Sequence, residues 1–257
     1  MAITVDLSGS VAFVTGGATG IGAGCVREFA RAGASVYFTY TSNGDGAEAL
    51  LAELRASGTK AAAGRADLAQ TADIERVVSE CERTLGPVDC LVNNAGITDA
   101  HDVFEITPAV WDRTLDINLR GMFFTCQRVA RSMRDRGRAG AIVNMSSVHG
   151  KEASHQHAHY EASKGGINMM TQSLAIEFAP FGVRVNCVAP GAIEVERYAH
   201  MADYNESRWA SQIPLRRVGR PEDIAPLCVF LCGSGAAYIT GETIYVDGGL
   251  TAKMPEL

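Results

Sequence analysis

The feature that most constrains this chain is a rhythm along its length. Short β-branched or apolar runs, at Val11 to Thr15, Ser35 to Thr39, Ala61 to Arg65, Cys90 to Asn93, Ala141 to Met145, Arg184 to Val188 and Thr243 to Val246, alternate with longer stretches of helical periodicity. The helical stretches are Ile21 to Ala32, Ala47 to Ser57, Asp73 to Leu85, Pro108 to Arg136, Tyr160 to Phe181 and Pro221 to Leu231. Strands that read as continuous apolar runs are buried on both faces, and parallel neighbours need a crossover between them. The rhythm therefore predicts an α/β fold: a Rossmann-type, doubly wound, seven-stranded parallel sheet with helices on both faces. Ligands of such a sheet bind beyond the C-terminal strand ends. No repeat, low-complexity tract or Pro/Ser-rich linker divides the chain, so residues 1–257 are expected to form a single domain.

The first strand runs into Thr15-Gly16-Gly17-Ala18-Thr19-Gly20-Ile21-Gly22 and then into a helix. Glycines at 16, 20 and 22 permit a tight turn and let backbone approach a pyrophosphate. The first amides of the helix, from Thr19 through Gly22, then face that anion. The context, after a strand and before a helix, marks a dinucleotide site. NAD-binding folds commonly place a carboxylate about 20 residues further on, to hold the ribose 2′-hydroxyl. Here the second strand ends Tyr40-Thr41-Ser42-Asn43, with neither an acid nor an arginine or lysine. A 2′-phosphate would meet no repulsion there and would find hydroxyl donors, so NADP is preferred over NAD.

Tyr160-Glu161-Ala162-Ser163-Lys164 places a phenol and an ammonium one helical turn apart on one face. A phenol with a reference pKa of about 10 is a poor base at neutral pH unless a cation favours its phenolate. Ser147, thirteen residues earlier at the end of a strand, offers a hydroxyl for a substrate oxygen.

With Gly16-x-x-x-Gly20-x-Gly22, Asn93-Asn94-Ala95-Gly96, Asn118, Ser147, Tyr160-x-x-x-Lys164 and Pro190-Gly191 in order from about Gly9 to Gly249, the chain resembles the short-chain dehydrogenase/reductase family. The resemblance implies hydride transfer between nicotinamide C4 and a carbinol or carbonyl carbon. It makes Tyr160 the general acid/base and Lys164 the group that lowers its pKa and bonds the nicotinamide ribose. Ser147 would orient the substrate oxygen, and Asn118 would hold a water in the proton relay. It also implies that Asp67 and Leu68 flank the adenine, that Asn94, Ala95 and Gly96 line the adenosine ribose side, and that Ile193 fixes the carboxamide. Val195 stands where many family members carry a cofactor-contacting threonine.

The stretch from Ala192 to Arg217, with Glu194, Glu196, Arg197, Tyr198, His200, Tyr204 and Trp209, is long for a connection. In the family an insertion here covers the substrate. Ser146-Ser147-Val148-His149, the run from Tyr160 to Met169 and the ending Val246-Asp247-Gly248-Gly249 are similar to bacterial glucose 1-dehydrogenases and related sugar dehydrogenases. Polar His149, His157 and Glu194 would suit a sugar or polyol. Ser8 to Gly22 and the acid-free second strand are equally similar to 3-oxoacyl-acyl-carrier-protein reductases, for which Arg128 to Arg138 could receive an acidic carrier. A dinucleotide-binding sensor without turnover is a third reading, although such proteins typically lack the tyrosine or the lysine.

Composition narrows the remaining choices. A net charge of −6 argues against a nucleic-acid binder. No run approaches the ~20 apolar residues of a membrane span, and Met1 to Gly9 lacks a signal-peptide pattern. A cytoplasmic enzyme with a small-molecule substrate is expected. The seven cysteines form no Cys-x-x-Cys pair, so buried reduced thiols are expected, with Cys228 and Cys232 in the core. His155, His157 and His159 alternate, and would share one side of an extended segment as zinc ligands might. The chemistry needs no metal, however, and no metal site is assigned. The arginine run reads first as a solvated helix end. The resemblance further implies a homotetramer built through the fifth and sixth helices and the last strand.

Overall fold

The computed structural model describes residues 5–196, 198 and 204–253. Arg197 and His200 of the long loop lie outside the described residues. Seven strands form one sheet: β1 (Val11–Val14), β2 (Ser35–Tyr40), β3 (Ala61–Arg65), β4 (Cys90–Asn93), β5 (Gly140–Met145), β6 (Val183–Pro190) and β7 (Thr243–Val246). All neighbours are parallel, in the order β3-β2-β1-β4-β5-β6-β7. The helices are α1 (Gly20–Arg31), α2 (Gly44–Ala56), α3 (Thr71–Thr84), α4 (Pro108–Leu115), α5 (Gly121–Asp135), α6 (Ala158–Phe178), α7 (Glu206–Gln212) and α8 (Pro221–Cys232).

Strand parity assigns side chains to two cores. Ala12, Val14, Val36 and Phe38 point to the face covered by α1, α2 and α8, where Phe29, Leu50 and Ile224 meet them. Phe13, Tyr37, Leu91 and Ile142 point to the face covered by α3, α5 and α6, with Val77, Val129 and Ile167. Phe13 and Tyr37 stack there at 5.3 Å. Each large buried side chain contributes about 1.5–3 kcal/mol, and a one-residue slip would move the whole set to the wrong face, so register is strongly specified. The winding reverses at β1, which pairs with β2 on one side and β4 on the other. The crevice beyond these strand ends is where an open α/β sheet receives its ligand.

Three local features differ from the sequence expectations. The periodic stretch from Pro108 to Arg136 is two helices, α4 and α5, joined by a single π-helical turn at Asp116–Arg120. A short helix, α7, lies within the Ala192–Arg217 loop, its first turn capped by Asn205, which accepts from the Arg208 amide at 2.9 Å. The helix carrying Tyr160 begins earlier, at Ala158, so the histidine stretch is not extended. His155 is exposed, His157 half-buried and His159 buried, and the three do not share a side. The arginine run lies, as expected, at the solvated end of α5, with Arg131, Arg134, Arg136 and Arg138 exposed, and four of its side chains pair with the chain's own acids. Arg128 pairs with Glu75 and Glu82, Arg136 with Glu82, Arg134 with Asp135 and Arg138 with Asp89. The seven cysteines are free thiols, all buried but Cys232, which is half-buried. Among the described residues no helix is long and apolar enough to cross a membrane.

Candidate active site

The turn after β1 meets the loop after β4 at the winding reversal. Asn94 ties the two together: its amide donates to Thr15 Oγ1 at 2.9 Å, and its Nδ2 donates to the Thr15 and Gly16 carbonyls at 3.1 and 3.0 Å. The Ala95 amide donates to the same Thr15 hydroxyl at 3.0 Å. Gly16 and Gly20 have φ of +62° and +52°, the left-handed region in which a side chain is strained. A Cβ on Gly22 would sit 2.1 Å from the Gly16 carbonyl oxygen, so only glycine lets α1 start this close to the turn. Thr19, at the head of α1, makes no side-chain cap, and Gly20 directs its amide outward. That amide donates to both carboxylate oxygens of Glu196, at 3.1 and 3.3 Å. The head of α1 thus holds an anion in this structure, the property a pyrophosphate site at Thr19, Gly20, Ile21 and Gly22 requires.

At the outer end of the crevice, Tyr40 ends β2, and Thr41 and Ser42 follow it, both exposed. Thr41 Oγ1 donates to the Ala66 carbonyl at 3.3 Å. The parallel register sets Tyr40 beside Arg65 of β3, and Arg65 Nε donates to the Thr41 carbonyl at 2.9 Å. A cation therefore stands at this strand end although none is adjacent in sequence. Asp67 and Leu68 follow β3. Asp67 Oδ1 accepts from the Ala69 amide at 3.1 Å, and the Asp67 amide donates to Asp73 at 2.9 Å.

Ser147, Asn118, Tyr160 and Lys164 gather beyond β4 and β5. Lys164, 4% exposed, donates from Nζ to the Met145 carbonyl at 2.9 Å, and its Nζ lies 5.4 Å from the Tyr160 ring centre. Burial pushes its pKa down to about 8. Asn118 is fully buried on the π turn and grips Ile97 from both sides, accepting from its amide at 2.8 Å and donating to its carbonyl at 2.9 Å. Gly96 backs onto both groups: a Cβ there would stand 3.1 Å from Asn118 Oδ1 and 3.9 Å from Lys164 Nζ. The Ser147 hydroxyl accepts from the His149 amide at 3.2 Å. His149 and His157 stack at 5.7 Å, and both stand edge-on to Tyr160, at 5.9 and 6.2 Å between ring centres. Burial lowers the His149 pKa, opposed by Glu161, whose carboxylate lies 3.5 Å from Nδ1. His159 faces away, against His101 at 5.3 Å.

Pro190 and Gly191 close the site at the end of β6, the Gly191 amide donating to the Val246 carbonyl at 3.0 Å. Ile193 is buried and bridges to Gly219. Glu194 lies beside the head of α1 instead of the histidine pair. It lines a cavity of about 370 Å³ with Gly20, Glu196, Tyr198 and Arg220, its carboxylate 3.8 Å from Arg220 Nε. No group of three or more His, Cys, Asp and Glu among the described residues could hold a metal ion. The sequence reading missed Arg65, Thr15 and Glu196. Strand pairing could have flagged Arg65, since parallel neighbours of similar length end side by side.

Comparison with known proteins agrees with this arrangement. The family model described as enoyl-(acyl carrier protein) reductase matches residues 16–251. The chain is 38% identical over 248 residues to 3beta-hydroxysteroid dehydrogenase 1 of Eggerthella lenta, covering 96% of this chain and 95% of that protein. It is 38% identical to a 3-oxoacyl-[acyl-carrier-protein] reductase of Staphylococcus epidermidis (93% and 98% covered). It is 37% identical to the L-rhamnose 1-dehydrogenase (NAD(P)(+)) of Azotobacter vinelandii (94% and 96% covered). Among solved structures, a blue fluorescent protein from a metagenomic library in complex with NADPH superposes with a TM-score of 0.88 at 39% identity, covering 95% of this chain and 99% of that one. With the sheet order, the site motifs and these matches in agreement, the chain belongs to the short-chain dehydrogenase/reductase family of oxidoreductases.

Proposed function

We propose that the protein is an NADP-preferring dehydrogenase/reductase of a small polyhydroxylated substrate, a sugar or polyol. The observation that carries this reading is the buried Lys164 ammonium beneath the Tyr160 ring, with two polar imidazoles edge-on to that same ring. A bound nicotinamide supplies or accepts the hydride. Tyr160 takes the proton of the carbinol in oxidation and returns it in reduction, and the Lys164 cation favours the phenolate this requires. Ser147, at the end of β5, holds the substrate oxygen. Asn118, anchored to Ile97, positions the water that links Lys164 to solvent. His149 and His157 offer hydrogen-bonding groups for substrate hydroxyls beside the reacting oxygen.

Cofactor choice follows from the outer end of the crevice. Thr41 and Ser42 supply hydroxyls, no carboxylate stands in the Tyr40 to Asn43 strand end, and Arg65 supplies positive charge for a 2′-phosphate. The name of the Azotobacter relative carries both cofactors, and the metagenomic protein was solved in complex with NADPH. Reduction of 3-oxoacyl thioesters is the second reading, favoured by the Staphylococcus relative. An acidic carrier protein would need a free basic surface, and four arginines of the candidate run are already paired with Glu75, Glu82, Asp89 and Asp135. The free thiols suit a reducing, cytoplasmic compartment.

The deciding experiment follows nicotinamide reduction with NADP and with NAD against a panel of aldoses and polyols, beside the reverse reaction on a short 3-oxoacyl thioester. Turnover of a sugar with NADP is expected, whereas thioester reduction alone would replace the sugar reading with the second one. Tyr160→Phe should lower turnover by about 10²–10⁴-fold while dinucleotide affinity stays nearly constant, and undiminished turnover would refute the proton-transfer role.

A further inference from the structure

The loop after β6 places a carboxylate where the proposed dinucleotide needs its phosphates. Glu196 presents both oxygens to the Gly20 amide, at 3.1 and 3.3 Å, and comes from 176 residues away in the chain. The contact is built on both sides. Val195 seats against Gly20, its Cγ1 3.0 Å from where a Cβ would stand. Glu194 is held to the loop before α8, its amide donating to the Gly219 carbonyl at 2.8 Å. Beyond Glu196, Tyr198, Tyr204 and Trp209 pack ring against ring, with centres 5.0 to 5.3 Å apart.

A helix head attracts one anion to a given amide, and two anions there repel. We infer that Glu196 is an internal occupant of the anion site at the head of α1, which the pyrophosphate of the dinucleotide must displace, so that Glu196 sets the affinity of the free enzyme for its cofactor. The inference rests on the functional reading above and deepens it, since the site it regulates is the proposed dinucleotide site. Binding moves the exposed Glu196 side chain off Gly20, while Ile193 and Glu194 stay tied to Gly219. Only the molecules with the amide already free bind at once, and apparent affinity falls to that fraction of its intrinsic value.

Titration of NADPH fluorescence with wild type, Glu196→Gln, Glu196→Ala and Glu222→Gln tests this. Glu222 lines the same cavity, so its variant controls for removal of one negative charge. Both Glu196 variants should bind NADPH about three- to tenfold more tightly than wild type, mainly through faster association, with a distinctly smaller gain for Glu222→Gln. Wild-type binding that is unchanged or weakened in both Glu196 variants would overturn the inference alone, as would an equal gain in Glu222→Gln. Failure of the wild type and both Glu196 variants to bind NADPH would overturn the functional reading as well.

Discussion

Lys164 is the residue on which the chemistry and the stability of the fold pull in opposite directions. Its pKa of about 8 lies below the ordinary lysine value because burial penalises the ammonium, and the hydrogen bond from Nζ to the Met145 carbonyl offsets only part of that. Protonated Lys164 therefore opposes folding, with a cost of about 3 kcal/mol that is full below pH 8 and fades as pH rises toward the unfolded value near 10.5. Lys164→Met should abolish turnover yet raise stability at pH 7 by about 1–2 kcal/mol after loss of the hydrogen bond. Thermal melts at pH 7 and pH 10 check this: the gain should shrink at the higher pH, and a lower melting temperature at pH 7 would contradict it. At the other end of the crevice, Arg65→Ala should raise the Michaelis constant for NADP about five- to tenfold and leave that for NAD nearly unchanged. Equal effects on both cofactors would remove Arg65 from the 2′-phosphate.

Among the elements, the π turn at Asp116–Arg120 has the largest consequence for the site. One extra residue in the turn resets the faces of α4 and α5 and leaves Asn118 fully buried against Ile97. Asn118→Leu would strand the Ile97 amide and carbonyl, so urea unfolding should show a loss of about 2–4 kcal/mol, together with a drop in turnover. A stability change within error would mean that Ile97 finds other partners. The stretch Pro108 to Arg136 reads as one helix because apolar spacings of three and four residues remain on either side of a single wide turn. The histidine stretch misleads for a related reason. Alternation implies one side only if the backbone is extended, and α6 has begun at Ala158, which swings His159 away from His157 and against His101.

For the molecule as a whole, one edge of the sheet that invites a partner is β7. Among the described residues β7 has a neighbour on one side only, and beside it α6 exposes Ile176, 76% accessible, over a groove of about 660 Å³ that Gln172, Ala175, Thr240 and Thr243 also line. An open strand edge beside an exposed apolar helix face is a pairing surface, and it supports the proposed homotetramer. Light scattering should give the tetramer mass for the wild type and a smaller assembly for Ile176→Glu. A monomeric wild type would end that proposal.

The amino-acid sequence by itself determined the α/β class, the seven parallel strands, the glycine turn at the head of α1, and the order of Asn118, Ser147, Tyr160 and Lys164. These are written in short-range signals: apolar periodicity, glycines where φ is positive, and a tyrosine and lysine one helical turn apart. Only the tertiary structure decided that Arg65 stands beside Thr41, that Glu196 rests on Gly20, that His149 and His157 share the Tyr160 ring, and that Arg128 and Arg136 meet Glu82 of α3. Each of these joins residues from different elements or loops, so it depends on strand order, register and the path of a loop. Local periodicity carries no information about those, because many chain traces bury the same apolar faces equally well.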